Sequence, residues 1–339
     1  MGRDYRFSFE RGSKKHFCPR CSQKRYVRYV DSHTGEYLPI EYGKCDREIE
    51  CAYYLNPYSE GYGKVMYENI QKRSFAITKP PKKKKADQVY MPVQALKQTL
   101  NSYDQNRFVQ NLLSNKGFKF DVADINKVVE QYYIGTVSKG YRMGATTFPF
   151  RDKNGNVCAI QVKEFNENNK TKSTDFIHSI LKREYNNDNR PLPDWLTGYL
   201  ENEKIVSCLF GEHLLSHYPL NPIALVEAPK TALYGTLYFG FPDRPQNLLW
   251  LAVYNLTSLN FDKVKALAGR RVILYPDLSK AGKAFDKWSK KASEFTKLMP
   301  GTEFIVSDFL EVNSQEDDKI KGLDLADYLI GKDWRKFRN

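Results

Sequence analysis

Four of the chain's six cysteines fall between residues 18 and 51: Cys18 and Cys21 in "FCPRC", then Cys45 and Cys51 in "GKCDREIEC". In a reducing compartment thiols stay unpaired, so this clustering argues for a bound metal rather than disulfides. A Cys-x-x-Cys turn aims two thiolates at one ion. A second pair beyond a hairpin completes the tetrahedron that zinc takes. The intervening "QKRYVRYVDSHTGEYLPIEYG" predicts that hairpin, with "RYVRYV" and "EYLPIEY" as arms and "DSHTGE" as the turn. The second pair is spaced more widely than the first, which leaves His16 as a substitute ligand. A lone histidine is more often not one, and the expected set is the four cysteines.

Charge points the same end of the chain at a polyanion. Of the net charge of +13, +8 lies in residues 1–90, where 19 lysines and arginines face 11 acids. Phosphate backbones are the commonest partner for such a surface. Arg20, Lys24, Arg25 and Arg28 lie among Phe17, Tyr26 and Tyr29, a mixture that suits single-stranded DNA with stacked bases. The competing reading is that these rings pack over the metal knuckles, because a small ribbon has little other core. "ITKPPKKKKADQ", residues 77–88, reads as an extended, self-repelling tether whose Lys82, Lys83, Lys84 and Lys85 can clamp phosphates. No apolar run approaches the ~20 residues that cross a bilayer. The first residues lack the apolar core of a secretory signal, so the expectation is a cytoplasmic chain with no membrane contact.

The rest divides by pattern into a helical and β-rich middle, residues 90–220, and an α/β region, residues 221–339, behind a ribbon at 1–76 and a linker at 77–89. In the middle, "SYDQNRFVQNLLSNKG" and "DVADINKVVEQYYIG" carry helical periodicity, with Gly117 as a stop for the first and Asp121 as N-cap of the second. Two β-rich runs flank Asn154-Gly155, a hairpin signal. "FNENNKTKSTD", residues 165–175, reads as polar loop. From residue 221 strands and helices alternate: "PIALVEAPK", "NLLWLAVYN", "RVILYPD" and "TEFIVSDFL" are strands and the stretches between them helices. That alternation predicts a parallel sheet covered by helices, with its working site beyond the carboxyl ends of the strands.

Acids stand at those ends. Glu227 follows the first strand, Asp277 the third, and Asp324 and Asp327 in "GLDLADYL" follow the fourth. Converging carboxylates repel, and a hard cation such as Mg²⁺, which takes oxygen ligands, relieves the repulsion. The competing role for any one strand-end acid is to cap the next helix.

"LVEAPKTAL", "YPDLSKAG" and "LDLADYL" together resemble the toprim domain of bacterial and phage-type primases and topoisomerases, whose signature is a Glu ending the first strand and an Asp-x-Asp ending the third. The front end looks like the zinc ribbon of primases. The order of ribbon, linker, middle region and toprim is similar to primase-like proteins of Bacteroidetes mobile elements. The resemblance covers most of the chain and is specific over residues 17–57 and 222–330.

It implies that Glu227 is a catalytic general acid/base or metal-organising carboxylate, that Asp277 is a magnesium ligand, and that Asp324 or Asp327 supplies a later acid. It also implies work in DNA replication or mobilisation, beside proteins of those processes. Two departures stand out: Ala228 where the family has Gly, and Ser279 where the second Asp belongs. A hydroxyl is a weak Mg²⁺ ligand and brings no charge. The expectation therefore divides between Mg²⁺-dependent nucleotidyl transfer of the DNA primase type and a non-catalytic single-strand DNA-binding protein on a degenerate toprim scaffold. Geometry separates them. Three acids within ~5–6 Å of a common point leave room for a metal, whereas Lys230 or Lys280 in the gap favours the second reading.

Overall fold

The computed structural model describes residues 5–64, 66, 88–114, 118–202 and 205–338. Gly117, most of the tether and Lys82, Lys83, Lys84 and Lys85 lie outside the described residues. The chain forms two compact units, Met1–Lys84 and Lys85–Asn339.

In the first unit, strands β1 (Phe7–Phe9), β2 (Tyr26–Asp31), β3 (Gly43–Cys45) and β4 (Tyr54–Leu55) form one antiparallel sheet in sequence order. β2 is the first predicted arm. The second predicted arm, "EYLPIEY", is not a strand. Pro39 interrupts it, Tyr37 bridges back to Val30, and the pairing strand is β3, which delivers Cys45 opposite Tyr26. Tyr26 is fully buried, and its hydroxyl donates to the Ile40 and Glu41 carbonyls at 2.9 Å. Gly43 makes this possible, because a Cβ there would lie 2.4 Å from the Tyr26 ring.

The second unit holds two sheets. Helices α1 (Val93–Lys97), α2 (Arg107–Leu113) and α3 (Val122–Gln131) lead into an antiparallel sheet of β5 (Gly135–Thr136), β6 (Thr146–Arg151), β7 (Val157–Phe165) and β8 (Thr171–Phe176). The β6–β7 hairpin turns at Asn154-Gly155 as predicted. There the Asp152 carboxylate accepts the N–H groups of Asn154 and Asn156 at 2.9 Å. β8 falls where the sequence reads as polar loop. It pairs with β7 along one side only and leaves its outward side chains exposed, so backbone hydrogen bonds form it without any apolar alternation. Helices α4 (Ile177–Asn187) and α5 (Asp194–Leu200) cover the β7 face that carries Ile160 and Val162.

The second sheet has order β10-β9-β11-β12, all parallel: β9 (Ile223–Val226), β10 (Leu249–Ala252), β11 (Arg271–Tyr275) and β12 (Glu303–Val306). Helices α6 (Pro229–Phe239), α7 (Phe261–Val264) and α8 (Lys283–Leu298) are the crossovers, and α9 (Phe309–Asn313), α10 (Glu316–Lys321) and α11 (Leu325–Leu329) follow β12. β9 and β10 are buried at every position, as strands covered on both faces must be. The mixed α/β architecture with a parallel sheet behind a zinc-ribbon region is the one the sequence predicts.

The two sheets of this unit share a core. The Tyr132 hydroxyl donates to the Trp250 carbonyl at 2.9 Å, and its ring stacks on Phe210 at 5.2 Å. Phe210 in turn bridges to Ala252 and meets Phe148 edge-on. On the other side Trp250 lies against Gly235, where a Cβ would come within 2.3 Å of the indole.

Candidate functional site

In the ribbon, the turn at residues 18–22 closes by Ser22 N–H to Cys18 O and Cys18 N–H to Gln23 O, both at 2.9 Å. It presents Cys18 and Cys21, β3 presents Cys45, and Cys51 follows a turn anchored on Arg47 O. The four sulfurs lie within 4.8 Å of one another, with Cys18–Cys51 at 3.7 Å and Cys21–Cys45 at 3.9 Å. A tetrahedron with Zn–S bonds of ~2.3 Å has edges of ~3.8 Å, so the donors fit zinc before any rearrangement. The Gln23 N–H brings the Cys21 thiol down to about 7, while burial pushes Cys45 up. His16 is not in the set; its Nε2 lies 2.7 Å from Glu10 Oε2.

Around that knuckle Lys24 and Arg25 are exposed, and Arg20 is exposed while donating to the Cys51 carbonyl at 3.2 Å. Arg28 is half-buried, donates to the Leu38 carbonyl at 2.6 Å and lies 4.5 Å over the Tyr37 ring. Of the three rings singled out from sequence, Tyr26 and Tyr29 are core and Phe17 is 64% exposed.

At the parallel sheet the strand order reverses direction at β9, the place where open α/β sheets hold ligands beyond the carboxyl ends of their strands. Val226 pairs with Tyr275, so Glu227 and Asp277 leave neighbouring strands at that point. The loop after β11 is tied down by Leu278 N–H to Leu323 O at 2.9 Å, which draws Asp324 to the same edge. Asp277 registers the convergence: burial and then the Glu227 and Asp324 carboxylates push its pKa well above the usual range, against the pull of Lys230. Its Oδ1 is buried and has no hydrogen-bond partner among the described residues.

The other two acids are already occupied. Asp324 caps α11, its Oδ1 accepting the Asp327 N–H at 2.8 Å, and its Oδ2 lies 2.9 Å from the Lys230 ammonium. Asp327 Oδ1 lies 3.2 Å from the same ammonium. Lys230 sits in the first turn of α6 with its side chain 5% exposed. Burial disfavours both charges, but the mutual attraction wins: Asp324 is held below and Lys230 above its ordinary value. Lys280 is exposed and takes no part.

Ser279, in the place of the second acid, is buried, and its Oγ accepts the Ala284 N–H at 2.7 Å at the start of α8. A hydroxyl so engaged ties down the start of the helix, and it brings a cation no charge. The donors at this edge therefore do not fit a two-cation site. Both oxygens of Asp324 and one of Asp327 already face helix N–H or ammonium partners, and a fixed positive charge stands among them.

Sequence reasoning missed Lys163. It lies on β7, 8% exposed, and faces the acid edge; burial and then Lys230 bring it down to about 8, while Asp324, Glu227 and Asp277 pull the other way. The signal was present in "VCAIQVKEF". A strand buried on both faces that alternates Gln161 and Lys163 on one of them must aim those polar groups at something polar.

A family model described as a domain of unknown function, DUF6371, matches residues 106–278, just over half of the chain. The chain belongs to that family. Its span runs from α2 into the loop after β11 and takes in Lys163, Glu227 and Asp277, but not Asp324 or Asp327. A model of a zinc beta-ribbon finger matches residues 5–64. No curated protein matches the sequence. Among solved structures, the chain is similar to the DnaG catalytic core, at 16% identity over 66% of this chain and 76% of that one with a TM-score of 0.41. It is similar to the zinc-binding and RNA polymerase domains of the Aquifex aeolicus primase, at 14% identity, 88% and 73% coverage and a TM-score of 0.40. It is also similar to the primase fragment of the bacteriophage T7 primase-helicase protein, at 13% identity, 88% and 90% coverage and a TM-score of 0.31. No helix among the described residues is long and apolar enough to cross a membrane.

Proposed function

We propose that this chain is a primase-like protein of DNA replication or mobile-element mobilisation that binds single-stranded DNA. On this reading its parallel sheet is a toprim scaffold that no longer transfers nucleotides. The observation that carries it is Lys230, whose ammonium stands 2.9 Å from Asp324 and 3.2 Å from Asp327, in the gap where a divalent cation would go. Ser279 supports it, because the second acid of the toprim signature is replaced by a hydroxyl that ties down the start of α8. DNA contact falls to the zinc-bearing ribbon, through Arg20, Lys24, Arg25 and Phe17, with Arg28 behind them and the Lys82–Lys85 run of the tether adding sequence-independent charge.

The test uses the full chain, a single-stranded template, all four ribonucleotides and Mg²⁺ or Mn²⁺. The expected result is salt-sensitive DNA binding that Glu227→Gln leaves intact, with no extended product. A metal-dependent product abolished by Asp277→Asn would overturn the reading.

One observation favours the other reading, Mg²⁺-dependent nucleotidyl transfer at Glu227 and Asp277: the buried Asp277 Oδ1 lacks a partner and would suit a single cation. Calorimetric titration of the full chain with Mg²⁺ separates the two. Heat of binding that Asp277→Asn removes would establish a one-cation site.

A further inference from the structure

The parallel sheet has two edges, and the chain covers them differently. At β10 the Phe210 N–H donates to the Ala252 carbonyl at 2.8 Å, and the Ala252 N–H donates to the Phe210 carbonyl at 3.2 Å. β12 has no such cover. The Glu303 and Ser307 N–H groups donate inward, to the Arg270 and Leu274 carbonyls at 3.1 and 2.9 Å. Strand alternation therefore turns the N–H and C=O groups of Phe304 and Val306 outward, where they meet no partner among the described residues. Open edges are normally blunted by lysine, proline or a bulge, and β12, Glu-Phe-Ile-Val, has none of these.

Beside that edge a groove of about 440 Å³ runs between α8 and β12. Ala292, Phe304 and Val306 give it an apolar floor, Ser293 and Thr296 a hydroxyl wall, and Lys297 a charged rim. Lys290, Ser293 and Lys297 share one face of α8 by their spacing, and both lysines are exposed. The helix as a whole carries five lysines against two acids. A second copy docked edge to edge would set like charge against like charge. A nucleic acid would answer the lysines but not the outward backbone donors and acceptors. An extended acidic peptide answers both. We propose, independently of the DNA-binding reading, that β12 and the α8 groove bind an extended acidic segment of a partner protein, which adds a fifth strand to the sheet. Its backbone pairs with Phe304 and Val306, small apolar side chains enter the groove, and flanking carboxylates meet Lys290 and Lys297. The competing role is a solvated edge that binds nothing.

The test titrates the full chain into fluorescein-labelled Asp-Glu-Val-Ser-Val-Ser-Glu-Asp and follows anisotropy. The wild type should bind it more tightly than about 1 mM, and the same peptide with lysine for every acid should not bind. Val306→Pro removes one outward N–H and leaves the ladder to β11 intact, so it should weaken binding about 10-fold. Lys297→Glu should weaken it about 3-fold. Where the proline variant fails to fold, N-methylation of the peptide carries the same comparison on the unaltered protein. Methylating both valines and methylating both serines block opposite sides of the added strand, so one should cost about 10-fold and the other little. Equal effects of the two methylations, or no binding by the wild type, overturn the proposal. So does displacement of the peptide by single-stranded DNA, or a wild-type dimer that Val306→Pro dissolves.

Discussion

Four sulfurs in the ribbon and four carboxylates at the sheet edge are both sets of metal-type donors gathered from separate segments, yet they are prepared for different partners. The sulfurs face one another at 3.7 and 3.9 Å, spacings set by two tight turns and one strand. At the sheet edge, Asp324 and Asp327 face a helix terminus and a lysine, Ser279 faces a backbone N–H, and Asp277 keeps one unpartnered oxygen. Residue type and convergence are common to both places. What differs is whether the donors' remaining lone pairs are turned toward an interior point or already satisfied.

The largest effect should come from the sulfur side. Removing zinc with a chelator, or Cys45→Ser, withdraws a structural ion that contributes on the order of 10–16 kcal/mol to folding such modules. Limited proteolysis should then cut within residues 5–64 while residues 88–338 stay resistant. A ribbon that resists protease without metal would make the two clusters alike after all.

Next is Lys230→Met, which strands two carboxylates in a buried site and should cost about 3–5 kcal/mol by denaturant titration. Millimolar Mg²⁺ should restore part of that loss in the variant and do nothing for the wild type. An unchanged midpoint would show that lysine is not what balances the acids.

Lys163 sharpens the comparison through pH. It gives up its proton near pH 8 when folded but near 10.5 when unfolded, so between those values the unfolded chain binds more protons. Stability should therefore rise from pH 8 toward 10.5, by up to about 3 kcal/mol. Lys163→Met should flatten that rise. His178 and His213, each brought down to about 4 by burial, act in the opposite window and should lower stability as pH falls from 6.5.

The smallest change is Ser279→Ala, expected to cost about 1 kcal/mol by loss of the bond to the Ala284 N–H. Ser279→Asp keeps an acceptor for the Ala284 N–H, and Mg²⁺ should still not bind while Lys230 remains. Calorimetric Mg²⁺ binding by Ser279→Asp would mean that the missing acid, rather than the lysine, is decisive.

Much of this was legible from residue order. Cysteine spacing places the sulfurs, and strand-helix alternation places Glu227 and Asp277 at strand ends, which the structure makes neighbours. What escaped did so for physical reasons. β8 is a polar edge strand held by backbone pairing, which leaves no periodic trace. β3 replaces a predicted arm because Pro39 breaks the run before it. Tyr26 and Tyr29 look like stacking rings in a basic segment, but a domain this small uses them as core. Lys163 carries no motif of its own, and its weight comes from acids far away in sequence.

The hydroxyl of Tyr132, reaching from the helical region to the carbonyl of Trp250, has a practical corollary. A fragment starting at residue 221 would shed that bond and bare the Phe210-facing side of β10, leaving a hydrophobic sheet without its lid. Any truncation meant to isolate the acid edge should retain the chain from about residue 88, or aggregation will be mistaken for lack of function.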